Sequence, residues 1–408
     1  MSKGYLIHRD FGSQHGFMTY LILIPFALDK SLILMKFFYV TIQTINLVLV
    51  LLILKKSNSK LGIIIGGFLY VLLNFYISDN NLWDEVIVTS LFLLIYYLIS
   101  FTDIKLTLKL LLSGFILGVA SFMKPSFAIM LFPLIIVYRS LLPLIPIGFI
   151  WVFVMVFFAF NRGLYQFLDN YIFYNKYYAL LPKGFFVEKD FFYRTLIIIT
   201  ISLVVYFFLQ KKQKKSLYLT LLFMLFSALL FLPSFHKIHL PPFIAFFTLF
   251  ISQLVGRLKK QHIIISLVVL SYYGFFIARK TKHQYFYLNN FRKPYIDNKI
   301  IYARLHELKS YPLVDKKLYI FANQIELYFL LDVLPPSYFT LVFPFVRSYY
   351  PSLESRIIQD IKNNKVEYVI FPKPRDENYV SFSNLKRYIV SHYNPEKDSI
   401  DIQIYKKR

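Results

Sequence analysis

The sequence predicts a polytopic α-helical membrane protein of about ten transmembrane helices, followed by a small α/β soluble domain. Three observations carry this reading. Apolar residues make up 57% of the chain and charged residues 17%, whereas a soluble domain averages about 45–50% apolar and about 25% charged. The apolar residues fall in runs of about 17–25, the length that spans a roughly 30 Å hydrocarbon core. After Arg279 these runs give way to alternating strand-like and helix-like patterns.

Residues 1–32 read as the end of an external loop with an interfacial helix, because Met18 to Ala27 is apolar but too short to cross. A helical bundle is expected over 33–279, with spans at 33–54, 61–77, 86–101, 107–123, 126–142, 143–160, 195–210, 216–233, 241–256 and 262–279. The remaining residues, 280–408, read as one domain. Within it KKLYIFA (316–322) has strand character and QIELYFLLDV (324–333) is helical. SLESRIIQDIKNN (352–364) places Ile357, Ile358 and Ile361 on one helical face. VEYVIF (366–371) is a second strand, and DIQIY (401–405) a third. A β-α-β pattern over about 110 residues suits a small α/β domain.

The formal charge is +24. On a soluble chain that would point to nucleic acid, but here it follows from Lys and Arg collecting at cytoplasmic helix ends. Nucleic acid is therefore not an expected partner, and membrane lipid is. Lys55, Lys56 and Lys60, then Lys105 and Lys109, Arg139, Lys211 to Lys215, and Arg257 to Lys260 all fall on one side under strict alternation. Placing them inside leaves the loop 161–194 and the domain after 280 outside the cytoplasm. The expected location is a prokaryotic cytoplasmic membrane. The chain has no cysteine, which excludes disulfides, thiolate metal sites and cysteine nucleophiles. It carries no P-loop, G-x-S-x-G or HExxH, so ATP-driven transport, serine hydrolysis and zincin chemistry have no support. MSKGYLIHRDFGSQHGF at the start lacks the apolar core of a signal peptide.

The unusual polar residues gather on the external side of this topology. His8, Arg9, Asp10 and His15 lie in the N-terminal segment, Asp84 and Glu85 before the third span, Lys124 between the fourth and fifth, and His236, Lys237 and His239 before the ninth. Lys124 sits between apolar neighbours, where it either binds a lipid phosphate or snorkels from a helix end. Asp10 is either a general base or metal ligand, or a solvated partner of Arg9. His236 and His239, three apart, offer a loose metal or phosphate site, or simple interfacial placement. Asp84 and Glu85 sit where a helix would begin, so favourable interaction with the helix dipole also accounts for them. The aromatic loop LYQFLDNYIFYNKYYALLPKGFF (164–186) suits a sugar or lipid groove as well as an aromatic belt.

In order along the chain, several segments resemble one family. GYLIHRDFGSQHGFMTYLI is similar to the end of the first external loop of polyprenyl-phosphate-sugar-dependent glycosyltransferases of the C-type membrane fold, which include protein mannosyltransferase and aminoarabinose transferase relatives. LGVASFMKPSFAIMLFPLIIVY resembles their G-L-x-F-L-x-K-P helix pair, FHKIHLPPFIAFF their R/H-Y-x-L-P-x-x-P segment, and KLYIFANQIELYFLLDVLPPSYF the start of their external domain. The resemblance implies an enzyme that moves a sugar from a polyprenyl-phosphate carrier to a glycan, lipid or protein acceptor of the cell envelope. By position it implies Asp10 as the catalytic carboxylate, acting as base or metal ligand, Lys124 as the K-P lysine, and His239 or Lys237 as a contact to the donor phosphate. Arg9, beside Asp10, is a further candidate phosphate contact, and His8, His15, Asp84, Glu85 and His236 are secondary candidates. A divalent metal requirement is left open. The family has a helix and a further acidic residue before this loop, and a proline where Phe17 stands, so the chain is expected to be one helix short of that pattern. A non-enzymatic transporter or flippase of lipid-linked sugars, or an inactive scaffold, are the alternative expectations.

Overall fold

The computed structural model describes residues 5–13, 15–27, 33–57, 60–77, 84–180, 196–197, 199–200, 202–203, 206, 211–231, 239–255, 299–309, 317–321, 325–339, 344–372, 382–398 and 402–408. The N-terminal part is helical. It comprises α1 (Phe17–Ala27), α2 (Ile33–Lys56), α3 (Lys60–Ile77), α4 (Asp84–Phe101) and α5 (Leu106–Ser121). A 3-10 helix at Pro125–Met130 leads into α6 (Leu131–Tyr138), and α7 covers Leu144–Phe160. There follow α8 (Leu164–Leu168), a π-helical turn (Asp169–Tyr174), α9 (Asn175–Leu180), α10 (Lys211–Ala228) and α11 (Pro241–Val255).

Most expected spans coincide with these helices, and among the described residues the count of ten is not reached. By length and composition α2 and α4 are the helices, among the described residues, that are long and apolar enough to cross a membrane. Others, such as Leu106–Ser121 and Leu144–Phe160, are apolar but shorter. The expected span at 262–279 lies outside the described residues, and that at 195–210 is described only at scattered positions. The expected span at 126–142 is cut short. Pro125 starts a 3-10 helix, and Arg139 takes a left-handed conformation (φ 47°) that ends α6.

The helical part has an apolar inside and an apolar outside. Inside, Phe92, Phe223, Phe246 and Phe250 are fully buried, and Tyr96 meets Phe223 and Phe246 edge-on with centroids 5.6 and 5.8 Å away. The Tyr96 hydroxyl is satisfied by Thr220 at 2.5 Å, and Thr220 in turn donates to Gln253 at 3.1 Å. This buried network ties α4, α10 and α11 together. Outside, Phe149, Phe153 and Phe160 on α7 are 70%, 64% and 83% exposed, and Ile64 and Phe68 on α3 are 71% and 68% exposed. Side chains of this kind stacked along whole helix faces exceed what a water-facing surface usually carries. On α5, Gly114 and Gly118 let α7 approach closely. A Cβ at Gly114 would strike the Pro143 backbone, and one at Gly118 would lie 2.6 Å from Ile150.

The C-terminal part is α12 (Lys299–Lys309), β1 (Leu318–Ile320), α13 (Ile325–Leu331), α14 (Pro344–Tyr349), α15 (Leu353–Asn363), β2 (Tyr368–Pro372), α16 (Ser383–His392), β3 (Tyr393–Asp398) and β4 (Ile402–Lys407). The sheet order is β1-β2-β4-β3, with β1 parallel to β2 and the other pairs antiparallel. The expected β-α-β unit is there, and α13 to α15 supply the crossover that a parallel pair needs. Ile357 and Ile361 are buried as their helical spacing requires, while Ile358 is only partly buried. Sequence reading missed β3, whose residues YNPEKD contain a proline and three charges. As an edge strand it needs neither a complete ladder nor an apolar face.

The two parts are stitched together by polar contacts. Asp169 accepts hydrogen bonds from the Tyr349 and Tyr350 hydroxyls at 2.8 and 2.7 Å. The Gly12 amide donates to the Tyr338 carbonyl at 2.9 Å, and the Tyr338 hydroxyl donates to the His8 carbonyl at 3.3 Å.

Candidate functional site

A charged cluster forms where four segments meet: the stretch before α1, the first turn of α4, the break between α5 and α6, and the start of α11. The break after α5 follows from Lys124-Pro125. A residue before proline is pushed into extended backbone, and Lys124 is extended (φ −153°, ψ 128°), with Pro125 opening the 3-10 helix. The lysine side chain turns to α4, where Nζ lies 3.0 Å from Glu85 Oε1. Pro241 and Pro242 begin α11, proline being favoured where a helix starts. They leave His239 just outside it, with Nδ1 2.5 Å from the same Glu85 oxygen and 3.4 Å from Lys124 Nζ.

The N-terminal segment supplies the fifth member. The Gly16 amide donates to the Met123 carbonyl at 2.9 Å, and the Met18 amide to the Phe122 carbonyl at 3.2 Å. A Cβ on Gly16 would collide with the Phe122 carbonyl, so only glycine permits this approach. The result sets His15 beside α4, with Nδ1 2.9 Å from Asp84 Oδ2. Glu85 and Asp84 are buried, at 3% and 6% side-chain exposure, whereas Lys124 and His15 are 30% and 38% exposed. Each carboxylate thus stands behind a cation or imidazole that faces outward. Burial works against a charged His15, but the hydrogen bond and charge of Asp84, together with the charge of Glu85, outweigh it and the opposing Lys124. Its pKa is raised above the ordinary 6.5.

Asp10 and Arg9 lie in the same segment but face one another. Asp10 accepts from Arg9 Nε at 2.9 Å and Nη2 at 2.7 Å, and from the Leu6 amide at 2.7 Å. Burial acts to raise the Asp10 pKa, but these bonds and the Arg9 charge bring it below the ordinary carboxylate value. His8 is fully buried at a left-handed position (φ 67°). Its ring sits 5.6 Å from Phe167, 5.8 Å from Tyr171 and 6.2 Å from Phe158, and among the described residues neither ring nitrogen has a hydrogen-bond partner. Burial, helped by the charge of His15, lowers its pKa to about 3. His236 and Lys237 lie outside the described residues.

Of the expected site residues, the structure therefore brings together His15, Asp84, Glu85, Lys124 and His239, and pairs Arg9 with Asp10. What sequence reading missed is the pairing: His15 with Asp84 across 69 positions and His239 with Glu85 across 154. No local signal encodes either. Among the described residues no group of three or more His, Cys, Asp or Glu side chains is gathered to hold a metal ion. The arrangement does not fit one, since Lys124 takes the place beside Glu85 that a cation would need.

No protein-family model matches the chain, and no curated protein matches it. Among solved structures, it is similar to the archaeal oligosaccharyltransferase AglB from Archaeoglobus fulgidus in complex with an inhibitory peptide and a dolichol-phosphate. The match has 12% identity and a TM-score of 0.44, and covers 90% of this chain and 62% of that one. The chain thus spans less than two thirds of that structure's length. A likeness this slight carries no inference about chemistry.

Proposed function

We propose that the chain is an integral membrane glycosyltransferase that moves a sugar from a polyprenyl-phosphate carrier to a glycan, lipid or protein acceptor outside the cytoplasm. In this reading residues 33–279 form the membrane bundle, and residues 280–408 form an extracytoplasmic domain placed over the site. One observation carries it: Glu85, buried at the start of an apolar helix, holds both Lys124 and His239. A lysine placed at the bilayer centre costs about 2.5–3.5 kcal/mol, and ionisable groups kept among membrane helices mark functional sites. The ammonium of Lys124, on a side chain that is 30% exposed, is suited to a phosphate oxygen, and His239 lies beside it. Exposed aromatic and aliphatic side chains along α3 and α7 suit lipid contact, and the segments around Lys124-Pro125 and Leu240-Pro241 that resemble the C-type glycosyltransferases carry Lys124 and His239, two of the five cluster residues.

The test is transfer of labelled sugar from a polyprenyl-phosphate donor by the purified chain in lipid nanodiscs, with Lys124→Ala as the variant. Transfer by the wild type that falls about 100-fold or more in Lys124→Ala is expected, with a raised donor KM. Scrambling of the lipid-linked sugar without transfer would replace the reading with that of a transporter.

A further inference from the structure

The two outward members of the cluster differ in what they can do. Lys124 carries a fixed positive charge and three donors, and so suits an anion. His15 has one ring nitrogen, Nδ1, bound to a buried carboxylate 2.9 Å away. A carboxylate there keeps the proton on Nδ1, which leaves a lone pair on Nε2. Among the described residues Nε2 has no hydrogen-bond partner, and the ring is 38% exposed. A buried Asp that fixes the tautomer of an accessible imidazole is the arrangement by which hydrolases generate a general base. Asp10, the carboxylate implied by resemblance, is less suited, since its oxygens already accept three hydrogen bonds.

We propose that His15, oriented by Asp84, is the catalytic base that takes the proton from the acceptor hydroxyl, an inference that rests on the glycosyl-transfer reading above. As the acceptor oxygen bonds to the anomeric carbon of the donor sugar, its proton passes to His15 Nε2. The bond from that carbon to the phosphate oxygen breaks, and its electron pair leaves with the polyprenyl phosphate beside Lys124. The imidazolium is stabilised by Asp84 and later releases its proton to water. The groups facing His15 are Asp84 and Glu85 on α4 and Lys124 from the break after α5. The two carboxylates favour the charged ring and Lys124 opposes it.

The experiment uses the full chain in nanodiscs, assayed for sugar transfer against pH, with the His15 titration followed by NMR of labelled histidine. His15→Gln is expected to lower kcat about 100-fold with donor KM within about threefold, and added imidazole to restore part of the loss in His15→Ala. Asp84→Asn is expected to bring the His15 pKa down to or below 6.5 and to move the acid limb of kcat the same way. A His15→Gln enzyme that keeps more than half of kcat, or an Asp84→Asn enzyme with an unmoved acid limb, overturns this inference alone. No transfer by the wild type overturns the glycosyl-transfer reading, and the catalytic role of His15 with it. Unchanged thermal unfolding midpoints in both variants separate lost chemistry from lost fold.

Discussion

Two buried glutamates, one in each part of the molecule, are held by opposite means. Glu354 in the C-terminal domain accepts from the backbone amides of Asn384 and Leu385 at 2.8 and 2.9 Å and pairs with Arg347 at 3.1 Å. It serves the orphan amides at the N-terminus of α16 from a neighbouring helix, an N-cap in all but sequence position. Glu85 in the helical part is held by the ends of two side chains from distant segments, Lys124 and His239. Backbone amides cannot leave a carboxylate without unwinding a helix, whereas a lysine and a histidine can turn to a ligand by changing rotamer. The contrast separates a carboxylate that stabilises from one that keeps cations poised.

The largest effect expected from breaking this contrast is at Glu85. Glu85→Ala leaves Lys124 and His239 without the buried carboxylate they share, which costs about 3 kcal/mol, the lower end for a broken buried pair. Loss of transfer together with a lower thermal midpoint of the helical part would show it; a midpoint equal to wild type would mean that the pairing adds nothing to stability. Outside that contrast stands the pH response of His8, buried in the same part. Its pKa is lowered from 6.5 to about 3 in the folded chain, so its contribution to stability is present above 6.5 and lost as pH falls toward 3. The slope approaches about 1.4 kcal/mol per pH unit inside that window. His8→Asn, which tolerates the left-handed backbone, is expected to flatten this limb in unfolding midpoints taken against pH.

At Glu354, Glu354→Ala is expected to destabilise the C-terminal domain by about 2 kcal/mol, the upper range for a lost cap. Hydrogen exchange should quicken at Asn384 and Leu385 while sugar transfer stays within twofold. The smallest effect is at the junction. Burial and the Asp169 carboxylate raise the pKa values of the Tyr349 and Tyr350 hydroxyls, so both remain donors at ordinary pH. Tyr350→Phe should cost about 1–2 kcal/mol, and a double-mutant cycle with Asp169→Asn should return most of that as coupling. A coupling near zero would mean that the junction is held by packing alone.

Much of the helical part was legible because lipid-length apolar runs and basic loops are local properties. The helices at 33–56, 84–101 and 144–160 lie within a few residues of where their hydropathy placed them. So does α15, whose isoleucine spacing is visible in eleven residues. The strand β3 and helix α16 were not legible, since an edge strand with proline and charges carries no alternation. The site was half legible. Lys124-Pro125 and the Asp84-Glu85 pair stand out as charge in apolar sequence, and the break at Lys124 follows from proline sterics. Asp10 stands out equally, yet the structure gives it to Arg9.

The amino-acid sequence by itself determined the helix-rich first part, the β-α-β core of the second and the identity of the polar residues, because periodicity, apolar length and proline act over a few positions. Tertiary structure alone decided which of those polar residues meet. Glu85 takes Lys124 and His239, and Asp84 takes His15, only because Gly16 lets the N-terminal segment press against the Phe122 carbonyl and because α4 and α11 pack side by side. Pairing across such separations is set by the packing of whole helices, and no stretch of sequence contains it.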